Sequence, residues 1–215
     1  RNFKREEIDY RQETIWETRV LTDTETRLVS ELTFDAVDKI GGNFAGDSLQ
    51  ADTGALFIQA GNNVNLTGNI RAGQQAEIKA GSTLNIEGYL PEGAEVPAIA
   101  EINAVQGIDL IAGSNLNIAD SAKVEVSGTG ADLSFKSGQT MTLGGELIAT
   151  GQGAFWAGSN INLSGKITAP ELIDIQAGNA ELGGAQDGAV SADSETLLRA
   201  KGTSGQISIS AGEYG

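Results

Sequence analysis

Seven of the chain's fourteen basic residues lie beyond residue 39. Three of them, Lys79, Lys136 and Arg199, fall at one phase of a repeated phrase, together with Gln59, Ile111, Trp156 and Gln176. A cation one repeat away from an indole can stack on the ring face. Such a strip suits an acidic glycan or a neighbouring domain, and the plainer reading is ordinary strand decoration covered by another segment. Carboxylates recur at Asp109, Asp132 and Asp174. Cleavage of a polysaccharide needs clustered carboxylates on adjacent repeats, often with a basic companion. These three are not all on consecutive repeats, and no basic residue aligns beside them. The chain has neither Cys nor His. That excludes disulfides and thiolate chemistry, and it removes the commonest general base and zinc ligand. The expectation is a protein that is not an enzyme and takes no cofactor and no metal.

The phase relating these residues comes from a phrase written over residues 58–68 and again over 78–88, 110–120, 135–145, 155–165 and, shortened, 175–184. One column holds Ile58, Ile78, Leu110, Phe135, Phe155, Ile175 and Leu198. Two residues on come Ala60, Ala80, Ala112, Ser137, Ala157, Ala177 and Ala200, and then glycine from Gly61 to Gly178. Val64, Leu84, Leu116, Met141 and Ile161 follow, then Leu66, Ile86, Ile118, Leu143, Leu163 and Leu182. A last column holds Ile70, Ile102, Leu147, Ile167 and Val190.

Within each phrase apolar and polar residues alternate, which is the signature of strands with one buried face. Residues 69–72, 76–80 and 83–87 typify three short strands per unit, parted by glycine and small polar residues suited to turns. Stacked units of about twenty residues make a solenoid. Three strands per turn make it an all-β parallel β-helix, and the expectation is a right-handed one. With coils about 4.8 Å apart, residues 40–215 provide about eight coils and a rod of roughly 40 Å. The glycine density opposes a helical solenoid, and the Gly-Gly-x-Gly-x-Asp repeats of a calcium β-roll are missing.

Two regions leave the period. The step from Ile78 to Leu110 is 32 residues, and the excess at 89–100 carries two of the three prolines. It reads as a loop bulging from the ladder, with Tyr89, Glu92 and Glu95 as candidate contacts. Smaller insertions fall near 119–123 and 185–188. Residues 1–39 are rich in Thr and Glu and read as an extended β segment or hairpin, with strands at 14–22 and 25–32. Their β-branched content favours strands over a helix at 5–21.

The net charge is −15, of which residues 1–39 carry −3 and the remainder −12. Such a chain repels nucleic acid and anionic membrane unless its cations cluster. No run reaches the roughly eighteen apolar residues of a membrane span. No signal peptide is visible, and a start at Arg1 reads as an excised fragment. Outward Asn65, Asn85, Asn117 and Asn162, with Thr142 among them, are expected to form a hydrogen-bonded ladder along the rod. Asn65-Leu-Thr67 and Asn162-Leu-Ser164 also match the glycosylation acceptor pattern.

Residues 112–118, Ala-Gly-Ser-Asn-Leu-Asn-Ile, and 157–163, Ala-Gly-Ser-Asn-Ile-Asn-Leu, resemble the filamentous-haemagglutinin repeats of bacterial two-partner-secreted exoproteins. That group includes large adhesins and the stick proteins of contact-dependent growth inhibition. The resemblance covers residues 42–212, and the Thr-rich opening is similar to stretches between repeat blocks in that group. It implies an extracellular or cell-surface shaft, exported through an outer-membrane pore. Flanking repeats of the same chain and a surface receptor or glycan would be its partners. A carbohydrate-binding β-helix and a polysaccharide-active enzyme are the other readings.

Overall fold

The computed structural model describes residues 32–36, 42–44, 48–89, 95, 97–182 and 187–212. The strand expectation at 14–22, the helix alternative at 5–21, and all of the expected strand at 25–32 except Leu32 lie outside the described residues.

Three parallel sheets run side by side along one axis. The first has eight strands: Leu32–Ala36, Leu56–Ala60, Gln75–Ala80, Gly107–Ala112, Asp132–Ser137, Gln152–Ala157, Leu172–Ala177 and Gln206–Ala211. The second has seven: Gly42–Phe44, Val64–Leu66, Leu84–Ile86, Leu116–Ile118, Met141–Leu143, Ile161–Leu163 and Val190–Ala192. The third also has seven: Ser48–Ala51, Asn69–Ala72, Ala100–Ala104, Ala122–Val126, Glu146–Ile148, Lys166–Ala169 and Leu197–Ala200. The chain visits the sheets in rotation, and each strand pairs with its counterpart one coil away. The protein is a right-handed parallel β-helix.

The alternation in sequence becomes inside and outside. In Gln75–Ala80 and Leu172–Ala177, every second side chain is buried. The inward columns of all three sheets merge into one core. Apolar surface buried this way is worth about 25 cal/mol per Å², and each coil adds a similar increment. Phe135 and Phe155 stack edge to face in this core, ring centroids 5.1 Å apart at 80°. Gly153 makes room, since a Cβ there would lie 2.9 Å from the Phe155 ring.

The glycine column marks the corner between the first and second sheets. Its backbone N–H groups bond across coils, as from Gly81 to Ala60 (2.8 Å) and from Gly113 to Ala80 (2.9 Å). The approach is close enough that a Cβ on Gly113 would fall 2.1 Å from the Gly81 carbonyl oxygen. Glycine is required here for space.

One inward column has an exception. Ser137 stands among alanines and is 1% exposed, and its hydroxyl has no hydrogen-bond partner. A buried unpaired hydroxyl costs about 1–3 kcal/mol. Ser137→Ala, which copies Ala112 and Ala157, is therefore expected to stabilise the protein by about 1 kcal/mol. Calorimetry should show a melting temperature about 2–4 °C higher; an unchanged or lower value would contradict the assignment.

The final coil departs from the sequence reading. Periodicity places Leu198 and Ala200 after Ile175 and Ala177 in the first sheet. Instead Leu198 pairs with Ile167 and Ala200 with Ala169 in the third sheet. The residues next to Ile175 and Ala177 are Ile209 and Ala211. Val190, expected in the third sheet, pairs with Ile161 in the second. Leu182 ends a short 3-10 turn, Ala180–Leu182, and the residue beside Leu163 is Ala192. The excursion after Ala177 is longer than its visible insertion, so the register slips by part of a coil. On this last rung Ile209 is 51% exposed, against 0% for Ile175 one coil earlier.

Two smaller differences concern boundaries. Leu32–Ala36 already pairs with Leu56–Ala60, so a strand of the first sheet precedes residue 40. Around residue 120 the chain makes a turn, with an Ala122-to-Ala119 backbone bond of 3.0 Å, and then enters the third sheet with Val124 between Ile102 and Leu147.

Candidate functional site

The outer face of the first sheet carries most of the predicted interaction column. Gln59, Lys79, Ile111, Lys136, Trp156 and Gln176 follow one another rung by rung. The column ends on Ser210 rather than Arg199. Arg199 pairs with Thr168 in the third sheet, on another face, because of the register slip.

The members differ in their surroundings. Lys79 forms an ion pair with Glu77 at 2.8 Å. Lys136 has its ammonium 5.1 Å from the centre of the Trp156 ring, and no carboxylate within 4.0 Å among the described residues. The Trp156 indole reaches diagonally to the next coil and the neighbouring column, where its N–H donates to Asp174 Oδ2 (3.0 Å). Gln176 Nε2 donates to the same oxygen at 2.7 Å. Lys136, Trp156, Asp174 and Gln176 thus form one connected cluster on three successive coils, held in place from both sides.

The acids are spread out. Asp109 and Asp174 lie in one column with Ser134 and Ala154 between them, while Asp132 stands in another column opposite Gly107. Asp109 accepts from Gln75 Nε2, and Asp132 accepts from the Gln152 backbone N–H at 2.6 Å.

The 89–100 excursion is on a different side. It leaves after Leu84–Ile86 of the second sheet and returns as Ala100–Ala104 of the third. Its neck is closed by an antiparallel bridge between Tyr89 and Ala98, with Ala98 N donating to Tyr89 O at 2.6 Å. Tyr89 and Glu95 are exposed, and Glu92 lies outside the described residues. Its neck, at Tyr89 and Ala98, stands at the corner of the second and third sheets, away from the outer face of the first that carries Trp156.

The asparagine ladder forms along the second sheet. Asn85 Nδ2 donates to Asn65 Oδ1 (2.7 Å), and Asn117 Nδ2 donates to Asn85 Oδ1 (2.8 Å). Thr142 follows in register, then Asn162, which accepts from Ser191 Oγ at 2.8 Å. Asn85→Ala removes the two bonds of the middle rung and is expected to cost about 1–2 kcal/mol. Chemical denaturation would measure this; a loss no larger than that of an isolated surface asparagine would count against a coupled ladder.

Sequence reasoning missed two features. Asn63, Asn115 and Asn160 accept backbone N–H bonds from the next coil, at Thr83 (3.1 Å), Thr140 (3.3 Å) and Ala189 (3.0 Å). The recurring Asn-x-Asn spacing, as in Asn63-Val-Asn65, was the available signal. On the third sheet Glu101, Lys123, Glu146 and Lys166 occupy one column in alternating charge. Lys123 lies 2.6 Å from Glu125 and 3.8 Å from Glu101. The Glu125 hydrogen bond, helped by the charges of Glu125, Glu101 and Glu146, raises its pKa above the ordinary 10.5 against an opposing effect of burial. The stabilisation from a raised lysine pKa is complete below that ordinary value and is lost as the pH climbs through the raised one.

No family model, curated protein or solved structure matches the chain.

Proposed function

We propose that this protein is a structural shaft segment of a large secreted or cell-surface bacterial exoprotein of the filamentous-haemagglutinin type, serving adhesion or the presentation of a distal effector. The observation supporting this reading is the continuous stacking of eight first-sheet strands, the six from Leu56–Ala60 to Leu172–Ala177 over a single apolar core. Such a body contributes length and stiffness. Every coil is tied to its neighbours by three short strands, so load along the axis is shared by rows of backbone bonds and by buried side chains. The activity is mechanical rather than catalytic.

The test uses cells that produce the parent exoprotein. Antibody raised against this chain should label intact cells or the culture fluid, and external protease should remove the cell-bound signal. Labelling only after lysis would overturn the proposal.

A further inference from the structure

Beyond the shaft role, we infer that the Lys136–Trp156–Asp174–Gln176 cluster is a binding site for a carboxylate-bearing glycan, a uronic-acid polymer laid along the outer face of the first sheet. Three observations carry it.

Lys136 differs from Lys79 and Lys123 in the company it keeps, and its ammonium lies over an aromatic ring. Lys79 and Lys123 each have a carboxylate within 3 Å, at 2.8 and 2.6 Å. Among the described residues, Lys136 has the indole, at 5.1 Å, and no carboxylate within 4.0 Å. In a chain of net charge −15, a cation left to an aromatic ring can take an external anion.

The indole is also held in place before any ligand arrives. Its N–H is fixed on Asp174 and Asp174 is fixed by Gln176, so little side-chain entropy is left to lose on binding. Trp156 remains half-buried on the outer face of the sheet, and an immobilised aromatic body of this kind offers apolar contact to a sugar ring.

The neighbouring column supplies room. Ser134 and Ala154 are small and lie between Asp109 and Asp174. Beside Trp156 this column therefore presents only short side chains, with Gln152 exposed beyond it. Lys136 would pair with the uronate carboxylate, Trp156 would contact the ring, and the free lone pairs of Asp174 would accept from sugar hydroxyls. Asp174 stands two coils from Lys136, about 10 Å along the axis and so about one screening length away, while Asp109, one coil from Lys136 on the other side, is engaged by Gln75.

The test titrates the full chain with oligogalacturonate and with a neutral oligosaccharide of equal length. The readout is the indole N–H resonance of Trp156, assigned by its loss in Trp156→Phe. The uronate should shift that resonance, and the neutral sugar should bind at least tenfold more weakly. Lys136→Gln should weaken uronate binding at least tenfold, while Lys79→Gln, which leaves Lys136 and Trp156 untouched, should change it less than twofold. No shift at millimolar uronate, equal binding of the neutral sugar, or equal weakening by both lysine variants would each overturn the inference. None of these results bears on the surface-labelling test, so the site and the shaft role fail separately.

Discussion

Gly113→Ala should cost about 3 kcal/mol, an unusually large penalty for one methyl group. The added Cβ would fall 2.1 Å from the Gly81 carbonyl oxygen and 2.8 Å from its carbon, both backbone atoms. A flexible side chain could swing away, but a backbone carbonyl inside a stack of coils cannot. Relief requires the two coils to separate at the corner, which lengthens the 2.9 Å bond from Gly113 N to Ala80 O and loosens the core beneath it. Gly107→Ala is the control. Its Cβ would meet only the Asp132 carbonyl oxygen at 3.5 Å, an ordinary contact. Restricting the unfolded chain there should give a change between zero and about 1 kcal/mol of stabilisation. Urea unfolding of both variants decides the matter: equal effects would show that the corner does not depend on close approach.

Phe155→Ala should be of the same order, about 3–5 kcal/mol, and Phe135→Ala likewise. Both rings are fully buried and meet edge to face at 5.1 Å, so each truncation leaves a cavity and an unmatched ring. A double-mutant cycle should return a coupling of about 0.5–1.5 kcal/mol. Gly153 shows how the coil accommodates this bulk, because the position where other coils carry Leu133 or Ile173 is emptied beneath the Phe155 ring. Collapse into the cavity is limited, since both neighbouring coils are pinned by backbone ladders. Ile209→Ala provides the contrast: it removes a side chain that is already half exposed on the last rung and should cost well under half as much. Comparable losses at Phe155 and Ile209 would mean that the Phe pair is not a stabilising centre of the rod.

Most of the coil was legible before the structure. The alternation in residues 76–80 or 84–86 states which side chain faces in, and the recurring Ala-Gly states where the chain turns. The Asn65–Asn85–Asn117 ladder and the stacking of Lys136 on Trp156 followed from position alone, since residues at one phase of a solenoid must be neighbours on successive coils. The strand before residue 40 was missed, although its signal was present. Leu32-Thr-Phe-Asp-Ala36 repeats the pattern of Leu56-Phe-Ile-Gln-Ala60, but it is hidden by the charged composition around it.

The sequence by itself determined the parallel β-helix, its inner and outer faces and its side-chain ladders, because these depend on a local period that every coil restates. The tertiary structure decided to which sheet each late segment belongs, and so placed Arg199 and Leu198 on the third sheet instead of the first. It also assigned Asp174 as the partner of the Trp156 N–H, and the corner asparagines as acceptors for the next coil. The reason is that all three faces carry the same period-two pattern. Once an excursion of arbitrary length intervenes, the pattern fits any face equally well. Only the hydrogen bonds formed between distant strands select the register, and with it the company each outer side chain keeps.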